Sequence, residues 1–227
     1  MYKLSLVIPA KKEKESLPSV LEEIKNYNLK KLVILEPNDY ETIDSIKNFD
    51  CEIIHQQQKG YGNAIVLGIE NVKTEFFCIF NADGSFNPLE LKNMQKILET
   101  DNTDIIFASR YEAGCGSDDD TFVTYLGNYM FTKLGQILFK LNITDILYTY
   151  VMARTEKVKK LNLLEKDFRF CVELPIKAQK SGMIIKTSKS YERRRISGKK
   201  KVNAIKDGIL ILIAMLKLFF KKIKLFN

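Results

Sequence analysis

The chain has 227 residues, 45% of them hydrophobic and 28% charged, which suits one folded domain and excludes a disordered polymer. Its net charge of +8 is unevenly placed: residues 193–227 hold eleven Lys or Arg and one acid, leaving 25 basic and 27 acidic side chains before them. His55 is the single histidine, and Cys51, Cys78, Cys115 and Cys171 form no CxxC pair, which excludes a multi-histidine metal site and points to carboxylate chemistry in a reducing compartment.

Met1-Tyr2-Lys3 runs straight into the strand-like Leu4-Ser5-Leu6-Val7-Ile8, closed by Pro9, so no secretory leader is expected. Ser16 is placed to cap a helix whose Leu17, Val20, Leu21 and Ile24 recur at helical spacing. Leu32-Val33-Ile34-Leu35 reads as a second strand, with a short helix through Ile43 and Ile46 after it. Glu52-Ile53-Ile54 is the third, followed by a glycine-containing turn and a helix through Ala64, Ile65 and Ile69. Phe76-Phe77-Cys78-Ile79-Phe80 is apolar enough to be a central strand. A helix over 88–100 and the strand Asp104-Ile105-Ile106-Phe107-Ala108 follow. The alternation predicts an α/β fold with a mostly parallel sheet flanked by helices. Later residues suggest a long amphipathic helix over 122–141, an extended piece over 148–152, a helix over 172–180 and a strand at Met183-Ile184-Ile185. No repeat or Pro/Gly-rich linker interrupts the chain, so one domain over 1–192 is expected, with an appended segment over 193–227.

Ligands of such sheets bind beyond the carboxyl ends of the strands, and the polar motifs fall there: residues 11–13, 36–39, 81–83 and Arg110. The sharpest is Phe80-Asn81-Ala82-Asp83-Gly84-Ser85. Two readings of Asp83 stay open. It closes an Asx turn, for which Asn, Asp and Gly are favoured, or it holds a divalent cation against a diphosphate, since Mg2+ and Mn2+ favour one or two carboxylates plus phosphate oxygens.

The neighbouring motifs widen the pattern. Val7-Ile8-Pro9-Ala10-Lys11-Lys12-Glu13, Leu35-Glu36-Pro37-Asn38-Asp39, Lys59-Gly60-Tyr61-Gly62-Asn63-Ala64, Ala108-Ser109-Arg110-Tyr111, Asp145 and Tyr191-Glu192-Arg193-Arg194-Arg195-Ile196-Ser197-Gly198-Lys199 follow in order. Together they resemble the family 2 glycosyltransferases, and among them the dolichol-phosphate mannosyltransferase-like branch, over essentially the whole chain. The resemblance implies a GT-A fold, a nucleotide-diphosphate sugar donor, a divalent cation (Mg2+ or Mn2+) and inversion at the sugar carbon. By the same resemblance Pro9, Ala10 and Glu13 cradle the nucleotide, with Glu36 and Asp39 beside the nucleoside. Lys59, Gly60 and Gly62 form the glycine-rich turn, whose helix N-terminus also favours an anion. Asn81, Ala82 and Arg110 complete the donor site, Asp83 is the metal ligand, and Asp145 lies beside the acceptor as a second catalytic candidate. Asp145 has a plain alternative, an acid held by a nearby backbone turn.

The chain also departs from the family. Asn81 replaces the first aspartate of the DxD motif, and Asp118, Asp119 and Asp120 stand where the mannosyltransferases carry arginines. That acidic run is either solvated, with Asp120 capping the next helix, or it orders over the donor and supplies a base for a hydroxyl acceptor. Arg195, Lys199 and Lys201 resemble the family's basic segment, which approaches donor or acceptor phosphates and also suits anionic lipid.

From residue 202 onward apolar residues alternate with lysines. The run over 208–220 is shorter than the roughly 20 residues of a membrane span, so an interfacial helix at the cytoplasmic face of a membrane is expected. The alternative is a helix packed on the body or on a membrane partner subunit. The basic residues sit in one tail rather than among aromatics along a groove, so no nucleic acid is expected. The leading expectation is an inverting enzyme acting on a lipid-linked or polyprenyl-phosphate acceptor. A transferase using a hydroxyl acceptor in polysaccharide or glycolipid synthesis, or a non-catalytic binder of nucleotide sugar, are the alternatives.

Overall fold

A computed structural model describes residues 2–198 and 203–221. The first half repeats a strand–helix unit: β1 (Leu4–Pro9), α1 (Leu17–Glu23), β2 (Lys30–Leu35), α2 (Tyr40–Ser45), β3 (Glu52–His55), α3 (Tyr61–Asn71) and β4 (Phe76–Ile79). A 3-10 turn at Pro88–Glu90 leads into α4 (Leu91–Thr100), β5 (Ile105–Ser109), β6 (Gly116–Ser117) and α5 (Phe122–Phe139). Then come β7 (Val151–Arg154), α6 (Thr155–Lys159), α7 (Phe170–Lys180), β8 (Ile185–Lys189), β9 (Tyr191–Glu192) and α8 (Ala204–Phe220).

Seven strands form one sheet in the order β3-β2-β1-β4-β7-β5-β8, and β6 pairs with β9 in a separate ladder. Every pairing is parallel except those of β7, which runs antiparallel between β4 and β5. β4 is the central strand, and all four of its side chains are buried, as its sequence predicts. Strand periodicity divides the interior. Leu6, Ile8, Phe76 and Cys78 face a core that includes α1 and α4, while Val7, Phe77 and Ile79 face one shared with α3, α7 and α8.

Three local expectations are corrected. Ser16 precedes α1 but makes no cap bond; its hydroxyl donates to Glu13 Oε2 at 2.6 Å instead. α5 is capped by Thr121 and Thr124 in a reciprocal capping box, not by Asp120. α7 begins at Phe170 and holds Pro175 within it. The β6–β9 ladder and α6 have no counterpart in the sequence reading.

α8 packs on α5 and α7, burying Ile211, Ala214 and Met215 in the core on that side. Lys180 Nζ donates to the carbonyl of Leu218 and, at 3.2 Å, to that of Lys221, placing a cation at the helix C-terminus. Other α8 side chains stay open to solvent, Ile205 at 77% and Phe220 at 79% exposure. Among the described residues no helix is long and apolar enough to cross a membrane.

Candidate active site

The turn after β4 reconciles the two readings of Asp83. Its Oδ1 accepts from the Ser85 backbone N–H at 3.0 Å and the Ser85 hydroxyl at 2.7 Å, which is the Asx turn. Gly84 takes φ +82°, a conformation that favours glycine. Oδ2 is left outside the turn, and Arg195 Nη1 stands 3.4 Å from it. Asn81 Oδ1 accepts from the Tyr61 hydroxyl at 3.5 Å, and Asn81 Nδ2 donates to Ser85 Oγ at 3.4 Å. Ala82 is buried in the core beneath the turn, so only its backbone is placed to meet a ligand.

After β1, two acids expected at the nucleotide brace the loop instead. Pro9 ends the strand, and the Ala10 N–H donates to the Ile34 carbonyl at 3.0 Å. Lys12 has φ +53°, and its N–H donates to Asp39 Oδ2 at 2.7 Å; Asp39 Oδ1 accepts from Thr42 Oγ1 at 2.9 Å. Glu13 is buried, with Oε2 accepting from Ser16. Asp39 and Glu13 thus hold the shape of this loop through internal hydrogen bonds. Glu36 pairs with Lys11 at 2.8 Å at the rim.

The glycine turn before α3 is made for backbone contact. A Cβ on Gly60, whose φ is +129°, would come within 2.1 Å of the Lys166 carbonyl oxygen, and one on Gly62 within 2.4 Å of the Glu165 carbonyl oxygen. The Asn63 N–H donates to that Lys166 carbonyl at 3.0 Å. Part of the helix N-terminus expected to favour an anion is therefore already bonded to residues 165–167. Lys59, beside the turn, is exposed. Tyr61 stacks on Phe168, with ring centroids 5.1 Å apart, and shares a hydrogen bond with Thr149 Oγ1 at 2.7 Å. Burial raises its hydroxyl pKa, so it serves as a neutral hydrogen-bonding group.

Asp145 and Arg110 are corrected from substrate contacts to an internal pair. The Asp145 side chain is fully buried, and it accepts from Arg110 Nε at 2.7 Å, Nη2 at 2.9 Å and backbone N–H at 3.1 Å. Asn128 Nδ2 donates to it as well, at 2.6 Å. Both carboxylate oxygens are occupied and no face is left for an acceptor. Arg110 Nη1 donates to Glu192 at 2.8 Å, and the guanidinium lies over the Tyr148 ring, 4.5 Å from its centroid. Burial opposes its charge, but Asp145 and Glu192 hold its pKa well above the ordinary value. The pair ties β5 and α5 to β9.

The acidic run is tied down by hydrogen bonds, with Asp118 exposed and Asp119 and Asp120 half-buried. Asp118 accepts from the Tyr191 hydroxyl at 2.7 Å, and Asp120 from the hydroxyls of Tyr111 and Thr124. Asp119 takes Arg195 in a fork, Nε at 3.1 Å and Nη2 at 2.7 Å. Residues 193–196 are bound to the Asp83 turn through Arg193 N–H to Ser85 O (2.9 Å) and Ile196 N–H to Asp83 O (2.8 Å). Arg193 is also forked onto Glu23 at 2.7 and 2.9 Å. The start of the expected tail is thus part of the site. Lys199 and Lys201 lie outside the described residues. Sequence reasoning missed Asp119 as the partner of Arg195, because the β6–β9 ladder that joins them consists of two residues on each side.

Among the described residues no three His, Cys, Asp or Glu side chains gather as a metal cluster. A cation held by one carboxylate and by diphosphate oxygens does not need such a cluster. Asp83 Oδ2 fits that role, since a guanidinium already stands against it. A cavity of about 1550 Å3, lined by parts of α6, α7 and α8, shares no residue with this turn.

Known proteins resemble this chain in sequence and in fold. The profile of Glycosyl transferase family 2 matches residues 5–162. Uncharacterized glycosyltransferases of Mycobacterium tuberculosis and Mycobacterium bovis are 25% identical over 211 residues, spanning 92% of this chain and 94% of theirs. The structure of glucosyl-3-phosphoglycerate synthase from Mycobacterium tuberculosis, in complex with Mn2+, uridine diphosphate and glucosyl-3-phosphoglycerate, gives a TM-score of 0.75 at 13% identity, over 98% of this chain and 82% of that one. Its complex with Mg2+ and uridine diphosphate gives 0.70, over 98% and 81%. At such identity the likeness speaks for the fold, the expected GT-A arrangement.

Proposed function

The chain belongs to glycosyl transferase family 2 and is a glycosyltransferase, and from that premise we propose that it moves a sugar, with inversion, from a nucleotide-diphosphate sugar to a lipid-linked phosphate at the cytoplasmic face of a membrane. The donor lies beyond the carboxyl ends of β1, β2 and β4, over the braced loop and the Asp83 turn. Asp83 Oδ2 would hold Mg2+ or Mn2+ against the diphosphate, and the chemistry supplied there would be neutralisation of the charge on the leaving nucleoside diphosphate. Arg195 is forked onto Asp119 through Nε and Nη2, and its Nη1 is the donor that would meet phosphate oxygens. The acceptor oxygen forms its bond to the anomeric carbon as the bond to the diphosphate breaks. A phosphate acceptor is already ionised, so no protein base is needed, in keeping with Asp145 being buried and fully bonded.

The observation that carries the acceptor reading is the start of α5. It begins just after Asp120, and Phe122, Val123 and Leu126 are 78%, 63% and 53% exposed. Apolar side chains are thus exposed on the helix that follows Asp119 and Asp120 in the chain, where an isoprenoid tail of the acceptor would run. The exposed side chains of α8 and the lysines of the C-terminal segment suit the same membrane surface. A partner subunit is the other candidate cover for that face. The likeness to glucosyl-3-phosphoglycerate synthase favours a second reading, a small phosphorylated acceptor with a hydroxyl nucleophile; the same likeness supports Mn2+ and a uridine-diphosphate sugar as donor.

A transfer assay separates these readings. The protein is given UDP- or GDP-sugars with Mn2+, and either a polyprenyl phosphate in detergent or 3-phosphoglycerate. Transfer to the lipid is expected, lost on chelation and cut by roughly a hundredfold or more in Asp83→Asn. Transfer to phosphoglycerate alone would replace the lipid reading, and no turnover with any donor would leave a non-catalytic binder.

A further inference from the structure

Arg195 lies beyond the residues matched by the family profile, and its guanidinium is shared by two carboxylates. Nε and Nη2 fork onto Asp119, and Nη1 faces the Asp83 oxygen that the Asx turn leaves over, at 3.4 Å. The positive group therefore fills the side of Asp83 assigned above to the cation. Two cations against one carboxylate oxygen repel, so whatever binds there as Mn2+ or Mg2+ has to displace Nη1. The backbone beneath Arg195 is fixed by the bonds from residues 193 and 196 to the turn, which leaves the side chain as the part that moves. Asp119 is fixed too, with its N–H donating to Ser117 Oγ at 3.1 Å and its neighbour Asp118 donating to the Glu192 carbonyl at 2.9 Å.

We propose that Arg195 is a built-in placeholder for the cation on Asp83, and that Asp119 is the positioning residue that draws it aside when the cation arrives and keeps it beside the diphosphate. The proposal rests on the reading of Asp83 as the metal-facing carboxylate. Asp119 belongs to the acidic run that distinguishes this chain from the mannosyltransferase pattern, and its fork with Arg195 gives that run a purpose. The two shorter contacts of the fork with Asp119, set against one with Asp83, leave the guanidinium a place to stay once Asp83 is taken.

The test measures binding of Mn2+ alone, by electron paramagnetic resonance of the free ion, and of UDP with Mn2+, by calorimetry, on the full chain. Arg195→Gln removes the competitor and is expected to bind Mn2+ alone roughly tenfold tighter, while binding UDP–Mn2+ more weakly. Asp119→Asn lets the guanidinium settle on Asp83 and is expected to weaken Mn2+ binding by a similar factor, with Asp119→Glu restoring it. In the Arg195→Gln background the Asp119 substitution should change Mn2+ affinity by less than about threefold, because its effect acts through the arginine. A purely structural pair would weaken both ligands in every variant. If Arg195→Gln leaves Mn2+ affinity unchanged or lowers it, while Asp83→Asn abolishes it, the placeholder fails and the metal reading stands. If Asp83→Asn leaves Mn2+ affinity intact, the metal reading falls and takes the placeholder with it.

Discussion

Asp145 shows how a single carboxylate changes meaning with its surroundings. Its place in the motif order suggested an acceptor contact, but four donors from Arg110 and Asn128 converge on it in the interior. Such a pair adds little to stability relative to apolar packing, and breaking it leaves one charge buried without its partner. Asp145→Asn is therefore expected to destabilise the fold by about 3 kcal/mol in urea unfolding, with any loss of transfer following the loss of folded protein. A variant of normal stability and selectively reduced kcat would return Asp145 to the chemistry. Asp83 is the opposite case, with one oxygen spent on the turn and the other directed at a cation.

Between the elements, the close approach of the glycine turn to residues 165–167 links α3 to the segment before α7. Gly62 lies where a methyl group would meet the Glu165 and Asp167 carbonyl oxygens at 2.4 and 2.7 Å. Gly62→Ala must push that segment away, at a cost of about 1–3 kcal/mol, and it shifts Tyr61, whose hydroxyl reaches Asn81. Thermal unfolding should show the loss, and calorimetry should show weaker UDP binding even where the protein remains folded. The glycines were legible as a turn from the sequence. What they approach was not, because residues 165–167 lie about a hundred positions further on and bear no motif.

At the scale of the whole molecule, the segment over 193–227 serves two purposes. Its first residues cover the Asp83 turn, and α8 completes the core with Ile211, Ala214 and Met215 while leaving Ile205 and Phe220 exposed. The membrane reading concerns only the exposed side chains. Ile205→Glu with Phe220→Glu should change stability by no more than about 0.5 kcal/mol, yet reduce co-sedimentation with vesicles containing phosphatidylserine by roughly tenfold or more. Unchanged vesicle binding by this variant would move the membrane contact elsewhere. Ile211→Glu, by contrast, buries a charge and is expected to unfold the protein.

Residue order by itself determined the α/β class, the centrality of β4, the Asp83 turn and the family resemblance. These depend on local periodicity and on short motifs at strand ends, which lie within a few residues of one another. The tertiary structure alone decided that β7 enters antiparallel between β4 and β5, that Arg110 and Asp145 neutralise each other inside the molecule, and that Asp119 meets Arg195 across 76 positions. The reason is physical: a charged side chain reads alike in sequence whether water or a buried partner receives it. Only the packing of distant elements determines which of the two it meets.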